Sequence, residues 1–331
     1  MTDSLQKSVP PEILFVERCP QFLKPGGRLG IILPDSILGS PGLSYIRTWI
    51  IRNHKILASL DLHADTFQPH NGTQTSVLIL QKKSPDEIAA ETIRGTMNNY
   101  EIFMAKVDKV GHDKRGNETH KHDANGNELL DENGSPIPDD ETAEVAKLFH
   151  AWKKHYFDSE LKFRAISLSE VKARGNRLEA SVFDADANTA RQILSSGNFP
   201  VTTIGKIAIA YHHPRFKRNF VNKETPNAIA FLGSSEMLDV KTDATKYLLC
   251  NMAENLRLFT DKDTVLISCS GTIGNVSYVN KTLESFAFSQ HIIGLECDNF
   301  SGYLYACLKT EAVQKQIQVL IYGAVIPEIE P

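Results

Sequence analysis

Residues 56–82 read ILASLDLHADTFQPHNGTQTSVLILQK, and this pattern predicts two strands joined by an exposed loop. Residues 56–62 and 75–80 are short apolar runs, and the segment between them is dense in turn-forming residues. One large aromatic residue, Phe67, lies inside that polar loop. Spacing alone favours Phe67 as an apolar anchor that packs back onto the core. The alternative is a stacking platform for a base or ring, because loops at the mouth of an α/β sheet carry ligand sites.

Length and composition are those of an ordinary globular protein. The 331 residues are enough for about two domains, and 41% of them are hydrophobic and 23% charged. No apolar run approaches the length of a membrane span, and the N-terminus lacks the basic-then-apolar order of a signal peptide. The sequence therefore predicts a cytoplasmic protein that does not insert into a membrane.

Cysteines and histidines give no pattern of a metal site. The five cysteines include no Cys-x-x-Cys pair, which predicts neither a disulfide framework nor a zinc site. His112, His120 and His122 are close in sequence, but their spacing matches no ligand pattern, so no metal is expected. The net charge of −4 argues against a uniformly basic surface and still permits a local basic patch.

The first part of the chain alternates between helical and strand patterns. Residues 11–23 predict an amphipathic helix that a Lys-Pro-Gly-Gly sequence ends. Residues 28–34 are a continuous apolar run, which predicts a strand buried on both faces of a parallel sheet. Residues 42–52 return to helical periodicity before the strand that starts at 56. This order predicts half of a doubly wound α/β domain.

Two segments, KPGGRLGIILPDSILG (residues 24–39) and LDLHADTFQPHNGTQTSVLILQKK (residues 60–83), resemble a known catalytic domain. Both closely resemble the C-terminal half of the catalytic domain in modification subunits of type I restriction enzymes and related gamma-class N-6 adenine DNA methyltransferases. The resemblance implies that Phe67 stacks on the flipped-out target adenine. Base flipping gives the physical reason, because a methyl donor cannot reach an exocyclic amine inside a stacked duplex.

The same resemblance implies motifs that this sequence lacks. The family holds S-adenosylmethionine on a glycine-bearing turn after its first strand and the adenine amine on an Asn/Asp-Pro-Pro-Tyr/Phe motif. No such tetrapeptide occurs here, since Pro10 and Pro11 are followed by Glu12. We therefore expect the chain to start just downstream of that motif. We also expect that it binds no cofactor and transfers no methyl group by itself.

Residues 111–140 form a polar run rich in Gly, Asn, Asp, Lys and His. The run has few apolar residues to bury, which predicts an extended surface loop or a loose hairpin. Its HDKRGN segment also resembles a segment common in these methyltransferases, which favours an ordinary family insertion. Residues 141–156 then have helical periodicity and are interpreted as a connection between domains.

The last part of the chain has a second character. Short β-type runs occur at 228–232, 264–269, 276–279 and 292–295. The segments SCSGTIGNVSYV (268–279) and FSQHIIGLEC (288–297), a helical pattern over 301–318 and YGAVIPEIEP (322–331) look like the target-recognition domain of type I specificity subunits. The resemblance covers most of residues 175–331 and implies DNA sequence recognition.

The densest basic stretch of the chain lies in this second part, with aromatic residues interleaved. Such charges neutralise DNA phosphates, whereas a solvated loop is the other interpretation. The candidate DNA contacts are Arg215, Lys217 and Arg218, together with His212 and His213.

The predicted fold class is α/β, a partial doubly wound methyltransferase sheet followed by an α+β target-recognition domain. The predicted divisions are residues 1–110 for the methyltransferase half, 111–174 for the insertion and connecting helix, and 175–331 for recognition. The function expected from the resemblance is part of a site-specific adenine-N-6 DNA methyltransferase of a restriction-modification system. Its expected partners are double-stranded DNA, an N-terminal methyltransferase half or modification subunit, and a restriction subunit.

Two alternatives stay open at this point. In one, the chain is a non-enzymatic DNA specificity subunit that docks on a separate methyltransferase. In the other, it is an inactive fragment that binds neither ligand and is poorly soluble, because a half-sheet leaves an unpaired edge and an uncovered apolar face.

Overall fold

The computed structural model describes residues 8–154, 163–183, 185–238, 244–323 and 328–330. These residues fall into two compact units. The first holds the residues up to 183 together with 322–323, and the second holds residues 185–321 and 328–330. Of the last segment quoted above, residues 324–327 and 331 lie outside the described part.

Unit 1 is an α/β unit. Its helices and strands are α1 (Pro11–Arg18), β1 (Arg28–Pro34), α2 (Asp35–Gly39), α3 (Ser44–Asn53), β2 (His54–Asp61), β3 (Thr75–Lys82), α4 (Pro85–Arg94), β4 (Glu101–Lys106), α5 (Thr142–Lys153), β5 (Phe163–Ser167) and α6 (Leu168–Ala173). Short 3₁₀ turns at Cys19–Phe22, Pro41–Leu43 and Ala180–Phe183 connect them.

Five strands form the sheet of unit 1 in the order β1-β3-β2-β4-β5. The strands β1 and β2 both run antiparallel to β3, so they run in the same direction as each other, and β4 is parallel to β2. Helices α2 and α3 connect β1 to β2, while the loop that carries Phe67 connects β2 directly to β3. The predicted strand, loop and strand over residues 56–82 are therefore confirmed.

The strand β1 differs from its prediction. It was expected to be buried on both faces, but only Leu33 is fully buried, and Ile32 is 51% exposed. The reason is position, because β1 lies at the edge of the described sheet and pairs there only with β3. A continuous apolar run does not distinguish an edge strand from a central one.

Residues 109–141 form a series of ordered, mostly exposed hairpin turns that we call the hairpin array. The sequence predicted an extended surface loop or a loose hairpin, and the structure differs from that prediction in being ordered. Two closed rings of three backbone hydrogen bonds hold it together. In the first ring, Gly111 donates to Asp139, Asp139 to Thr119 and Thr119 to Gly111, at 2.8 to 3.0 Å. A second ring of the same kind joins Lys121, Ile137 and Leu129, at 2.8 to 2.9 Å. Backbone pairing across the array therefore stabilises a segment that has few apolar side chains.

Unit 2 contains the remaining elements. They are α7 (Ala185–Ser195), β6 (Ile209–His212), β7 (Ala228–Leu232), β8 (Lys246–Leu249), α8 (Cys250–Asn255), β9 (Val265–Ser268), β10 (Val276–Tyr278), β11 (Ala287–Phe288), β12 (Ile292–Glu296), α9 (Ser301–Leu308) and α10 (Glu311–Gln318). Further 3₁₀ turns lie at Ile204–Lys206, Glu236–Leu238 and Leu283–Ser285.

Two small sheets make up the centre of unit 2. One has the order β10-β9-β12-β6 with antiparallel neighbours, and the other has the order β11-β7-β8. Leu266 and Ile267 on β9 illustrate how the cores form, because successive side chains of a strand point to opposite faces and these two belong to different buried clusters. In the described part of the chain, no helix is long and apolar enough to cross a membrane.

Candidate nucleic-acid interface

The loop that carries Phe67 lies at one defined edge of the sheet of unit 1. It starts after Asp61, the last residue of β2, and ends at Thr75, the first residue of β3. The strand β1 ends at the same edge, because the register pairs Pro34 with Thr75. The carboxyl ends of the codirectional strands β1 and β2 therefore meet where this loop emerges, which is where open α/β sheets bind their ligands.

Consecutive tight turns fix the backbone on both sides of Phe67. The Gln68 amide donates to the Asp65 carbonyl at 2.9 Å, and the Phe67 carbonyl accepts from His70 at 3.1 Å and from Asn71 at 2.9 Å. The side chain of Phe67 is 38% exposed. Among the described residues, it belongs to none of the five buried apolar clusters. The ring is thus held in place by the loop backbone and presents part of its surface to solvent.

Two carboxylates that the sequence patterns did not reveal lie beneath this loop. The Ser76 hydroxyl is 2.7 Å from Asp35 Oδ1 and 3.1 Å from Asp61 Oδ1. Burial, then the neighbouring Asp61 charge, raises the pKa of Asp35 to about 7. Burial also raises the pKa of Asp61, against the opposing effect of its hydrogen bonds.

The proton positions in this cluster follow from its geometry. A hydroxyl has one proton, so Ser76 cannot donate to both carboxylates at once. When Asp35 is protonated it donates to Ser76, and Ser76 then donates to Asp61. Ionisation of Asp35 removes one hydrogen bond and places a second negative charge next to Asp61. The cluster therefore favours a protonated Asp35.

Asp61 also holds a later part of the chain in place. Its two carboxylate oxygens accept the backbone N–H groups of Ala180 at 2.8 Å and Ser181 at 2.7 Å. The Leu178 amide donates to the Leu38 carbonyl at 3.1 Å. Residues 178–183 are thereby bound to unit 1, and the two compact units divide at 184/185. The three predicted divisions of the chain stay a prediction.

The described residues do not fit a site for S-adenosylmethionine. The family resemblance places the donor on a glycine-bearing turn between a strand and a helix. Among the described residues, β1, β5 and β8 lead into their helices with no intervening residue, and no short glycine turn joins a strand to an α-helix; Gly233 lies in the turn from β7 to the 3₁₀ segment Glu236–Leu238.

The basic stretch predicted to contact DNA is the connection from β6 to β7 in unit 2. His213 differs from the other candidates because its side chain is 3% exposed. Its Nδ1 lies 3.1 Å from the Arg257 carbonyl and its Nε2 lies 3.2 Å from Thr260 Oγ1. Both ring nitrogens are therefore engaged inside the protein. His213 anchors the start of the loop and is not available to DNA in this structure.

The interleaved aromatic residues also anchor the loop. The rings of Phe216 and Phe220 lie 6.1 and 5.6 Å from the ring of Phe231 on β7. The guanidinium carbon of Arg218 lies 5.9 Å from the centre of the same ring. Lys217, between these residues in sequence, is exposed. Aromatic packing therefore fixes the loop backbone while cationic side chains remain at its surface.

Arg215 and His212 lie next to acidic residues. The Arg215 side chain is 79% exposed, and its Nη2 is 3.5 Å from Glu328 Oε2. Burial lowers the pKa of His212, and burial followed by the charge of Arg218 lowers the pKa of His291. His291 and Glu328 are members of this cluster that the sequence patterns did not identify, and no spacing signal connects them to the loop. Among the described residues, no group of three or more possible ligands is placed to hold a metal ion.

Comparisons with known families match both units. The model of the N-6 DNA methylase family matches residues 4–183. The model of the type I restriction modification DNA specificity domain matches residues 191–330. No protein of curated function matches the chain.

The solved structures that resemble this chain, at low sequence identity, include proteins of restriction-modification systems. The type IIG restriction endonuclease BpuSI is 11% identical, with 98% of this chain and 41% of that chain covered and a TM-score of 0.38. A modification subunit of a putative type I restriction enzyme from Vibrio vulnificus YJ016 is 17% identical, with 48% and 28% covered and a TM-score of 0.30. The type I S subunit from M. genitalium is 17% identical, with 39% and 30% covered and a TM-score of 0.27.

This chain spans 41% or less of the length of each of these three structures. The family match, in contrast, covers more than half of this chain. The chain therefore belongs to the N-6 DNA methylase family and carries a type I restriction modification DNA specificity domain after its methylase part.

Proposed function

We propose that this chain supplies the target-base loop and the DNA-recognition unit of a site-specific adenine-N-6 DNA methyltransferase in a type I restriction-modification system. In this proposal Phe67 stacks on the flipped adenine. Arg215, Lys217 and Arg218 contact DNA, with His212 beside them. The complete enzyme uses S-adenosylmethionine. In this proposal, the residues that bind it are not among those that the structure describes. A modification subunit or methyltransferase half and a restriction subunit are the proposed protein partners.

The observation that carries the proposal is the placement of Phe67. It is a half-exposed aromatic ring on a hydrogen-bonded loop, at the edge where β1 and β2 end. A base that leaves the duplex loses its stacking neighbours, and an aromatic ring at this edge replaces them. Stacking of one base on an aromatic side chain stabilises the complex by about 1–3 kcal/mol.

The test uses Phe67→Ala in the full chain, combined with the modification subunit of its system. A duplex is first recovered from a random-sequence pool by the unaltered complex, and 2-aminopurine then replaces each adenine in turn. When the complex binds, the fluorescence of 2-aminopurine at the target position should increase. We expect this increase to be lost with Phe67→Ala and retained with Phe67→Trp. The equilibrium for extrusion should shift by about 5- to 150-fold, which corresponds to the stacking free energy.

Phe22 provides a matched control. It is also an exposed phenylalanine of unit 1, at 75% exposure. The segment that carries it lies at the other end of β3, because Lys82 Nζ donates to the Pro20 and Leu23 carbonyls. Phe22→Ala should leave the signal unchanged. If Phe67→Ala also leaves it unchanged while the complex still binds its selected duplex, the role of Phe67 is wrong and the chain acts as a specificity subunit only.

A further inference from the structure

The hairpin array carries three turns of the same design. Each turn begins with an aspartate and has a glycine of positive φ three residues later, at Gly116 (φ +83°), Gly126 (φ +87°) and Gly134 (φ +80°). Asp113 Oδ1 accepts the backbone N–H groups of Arg115 at 2.8 Å and Asn117 at 2.9 Å. The second and third turns repeat these two bonds, from Asn125 and Asn127 to Asp123 and from Asn133 and Ser135 to Asp131. The three turns therefore share one rigid backbone and differ in the side chains that they present.

The first turn packs against the loop that carries Phe67. A Cβ atom built on Gly116 would lie 3.1 Å from Pro69 Cδ and 3.7 Å from Pro69 Cγ. Pro69 lies within the turn that Phe67 closes by accepting the amides of His70 and Asn71. The two exposed residues that precede Gly116, Lys114 and Arg115, are thus next to the proposed base-stacking loop.

Charge is distributed unevenly over the array. The first turn has Lys114 and Arg115, while the carboxylate of Asp113 is turned inward onto the amides of its own turn, and Glu118 lies 3.7 Å from His120. Between Lys121 and Lys147 the sequence has no lysine or arginine. The carboxylates in that interval are Asp123, Glu128, Asp131, Glu132, Asp139, Asp140, Glu141 and Glu144. Lys114 and Arg115 are therefore the exposed cations of the turn that contacts Pro69, whereas the segment after Lys121 is acidic and repels a polyanion.

We infer that the first turn is a phosphate clamp, in which Lys114 and Arg115 bind the DNA backbone phosphates that flank the flipped base. The inference rests on the proposed function. Flipping rotates a nucleotide about its own backbone, so its flanking phosphates stay close to the ring that stacks on the base. A cationic pair held next to that ring neutralises those phosphates and contributes to affinity without reading sequence.

The array itself provides an isostructural test variant. Lys114→Ala with Arg115→Asn converts the first turn, Asp-Lys-Arg-Gly-Asn, into the sequence of the second, Asp-Ala-Asn-Gly-Asn, which this chain already folds. A relocation variant adds Ala124→Lys and Asn125→Arg to these two changes. It restores composition and net charge but places both cations on the second turn. The dissociation constant of each variant is measured against salt concentration on the selected duplex.

Removal of both cations from the first turn should reduce the slope of log affinity against log salt by about 1.8, at about 0.9 for each phosphate that is no longer neutralised. The relocation variant should show the same reduction as the turn-exchange variant. An unchanged slope in the turn-exchange variant, as expected if the turn binds a polypeptide instead, would overturn the inference. Recovery of the slope in the relocation variant would overturn it as well, because the position of the charges would then be irrelevant.

Phe67→Ala separates this inference from the proposed function. The substitution removes no charge, so it should abolish the 2-aminopurine signal and leave the salt slope intact. If Phe67→Ala abolishes the signal while the turn-exchange variant leaves the slope unchanged, only the phosphate clamp fails. If Phe67→Ala leaves the signal unchanged, the proposed function fails.

Discussion

Asp35 is the residue whose environment most affects how unit 1 responds to pH. Its carboxyl is buried against Ser76 and near Asp61, and its pKa is raised from 3.8 to about 7. A carboxyl with a raised pKa in the folded state adds stability below its unfolded pKa. That contribution is lost as pH rises through the folded pKa. The unfolded chain releases this proton near pH 4 while the folded chain keeps it until about pH 7. Unit 1 therefore loses stability over this interval, by roughly 4 kcal/mol at its upper end.

Asp35→Asn should flatten this dependence, because the amide retains a hydrogen bond to Ser76 and never ionises. Urea unfolding followed by tryptophan fluorescence measures the free energy of unfolding of unit 1 alone at each pH. The two tryptophans of the chain, Trp49 and Trp152, both lie in that unit. Asp86→Asn, at the exposed start of α4, is the control. A variant that keeps the full loss of stability between pH 4 and pH 8 would show that Asp35 is not its source.

The sequence pattern singles out Phe67, whose role stays a prediction, and does not reveal Asp35 or Asp61, for a physical reason. An aromatic residue inside a polar loop contrasts with its neighbours, whereas an aspartate at the end of a strand is a common solvated residue. What sets these two aspartates apart is their shared partner Ser76 and the return of residues 178–183 onto Asp61. Both features depend on contacts between distant parts of the chain. His213 shows the reverse case, because a residue in a basic stretch proved to be a core anchor.

Among the helices and strands, local sequence patterns predicted the positions of most strands. The predicted runs at 28–34 and 228–232 coincide with β1 and β7. The predicted helix over 301–318 is two helices, α9 and α10, with Thr310 in extended conformation between them. Apolar periodicity continues across such a break and therefore hides it. The order of the hairpin array was not predicted, because it comes from backbone hydrogen bonds, which have no apolar signature.

The edge strand β6 depends on one glycine of its neighbour β12. Gly294 pairs with Tyr211, and a Cβ atom on Gly294 would lie 2.4 Å from Tyr211 Cζ. Gly294→Ala should force the ring away and destabilise unit 2 by about 1–3 kcal/mol, as overpacking does. Combination with Tyr211→Ala should recover most of that stability. Amide hydrogen exchange of β6 and β12 reports this change, while the tryptophan transition of unit 1 should stay in place. If Gly294→Ala leaves the hydrogen-exchange rates unchanged, the Tyr211 ring moves aside without loss of stability, and the prediction is wrong.

In the whole molecule, the proposed contacts with the target base and with DNA phosphates lie in both units. Unit 1 carries the proposed base-stacking loop, and unit 2 carries the cationic loop between β6 and β7. Stacking on a base is independent of salt, whereas phosphate contacts release counterions and depend on it. Stacking and phosphate contacts are therefore distinguishable in one binding experiment, and the variants at Lys114 and Arg115 and at the loop between β6 and β7 separate the phosphate contacts of the two units.

Replacement of Arg215, Lys217 and Arg218 together by alanine should weaken DNA binding and reduce the salt slope by up to about 2.7, at about 0.9 for each phosphate that is no longer neutralised. Arg215 Nη2 is already 3.5 Å from Glu328 Oε2. Of the three residues, Arg215 should therefore contribute least to the salt slope, and Glu328→Gln should increase its contribution.

The control removes the same charge elsewhere in unit 2, with alanine at the exposed residues Lys262, Lys281 and Lys309. Equal reductions in both triple variants would mean that net charge alone attracts DNA. Unchanged affinity and slope in the first would show that this loop does not bind DNA, and recognition would then have to be sought on another surface of unit 2.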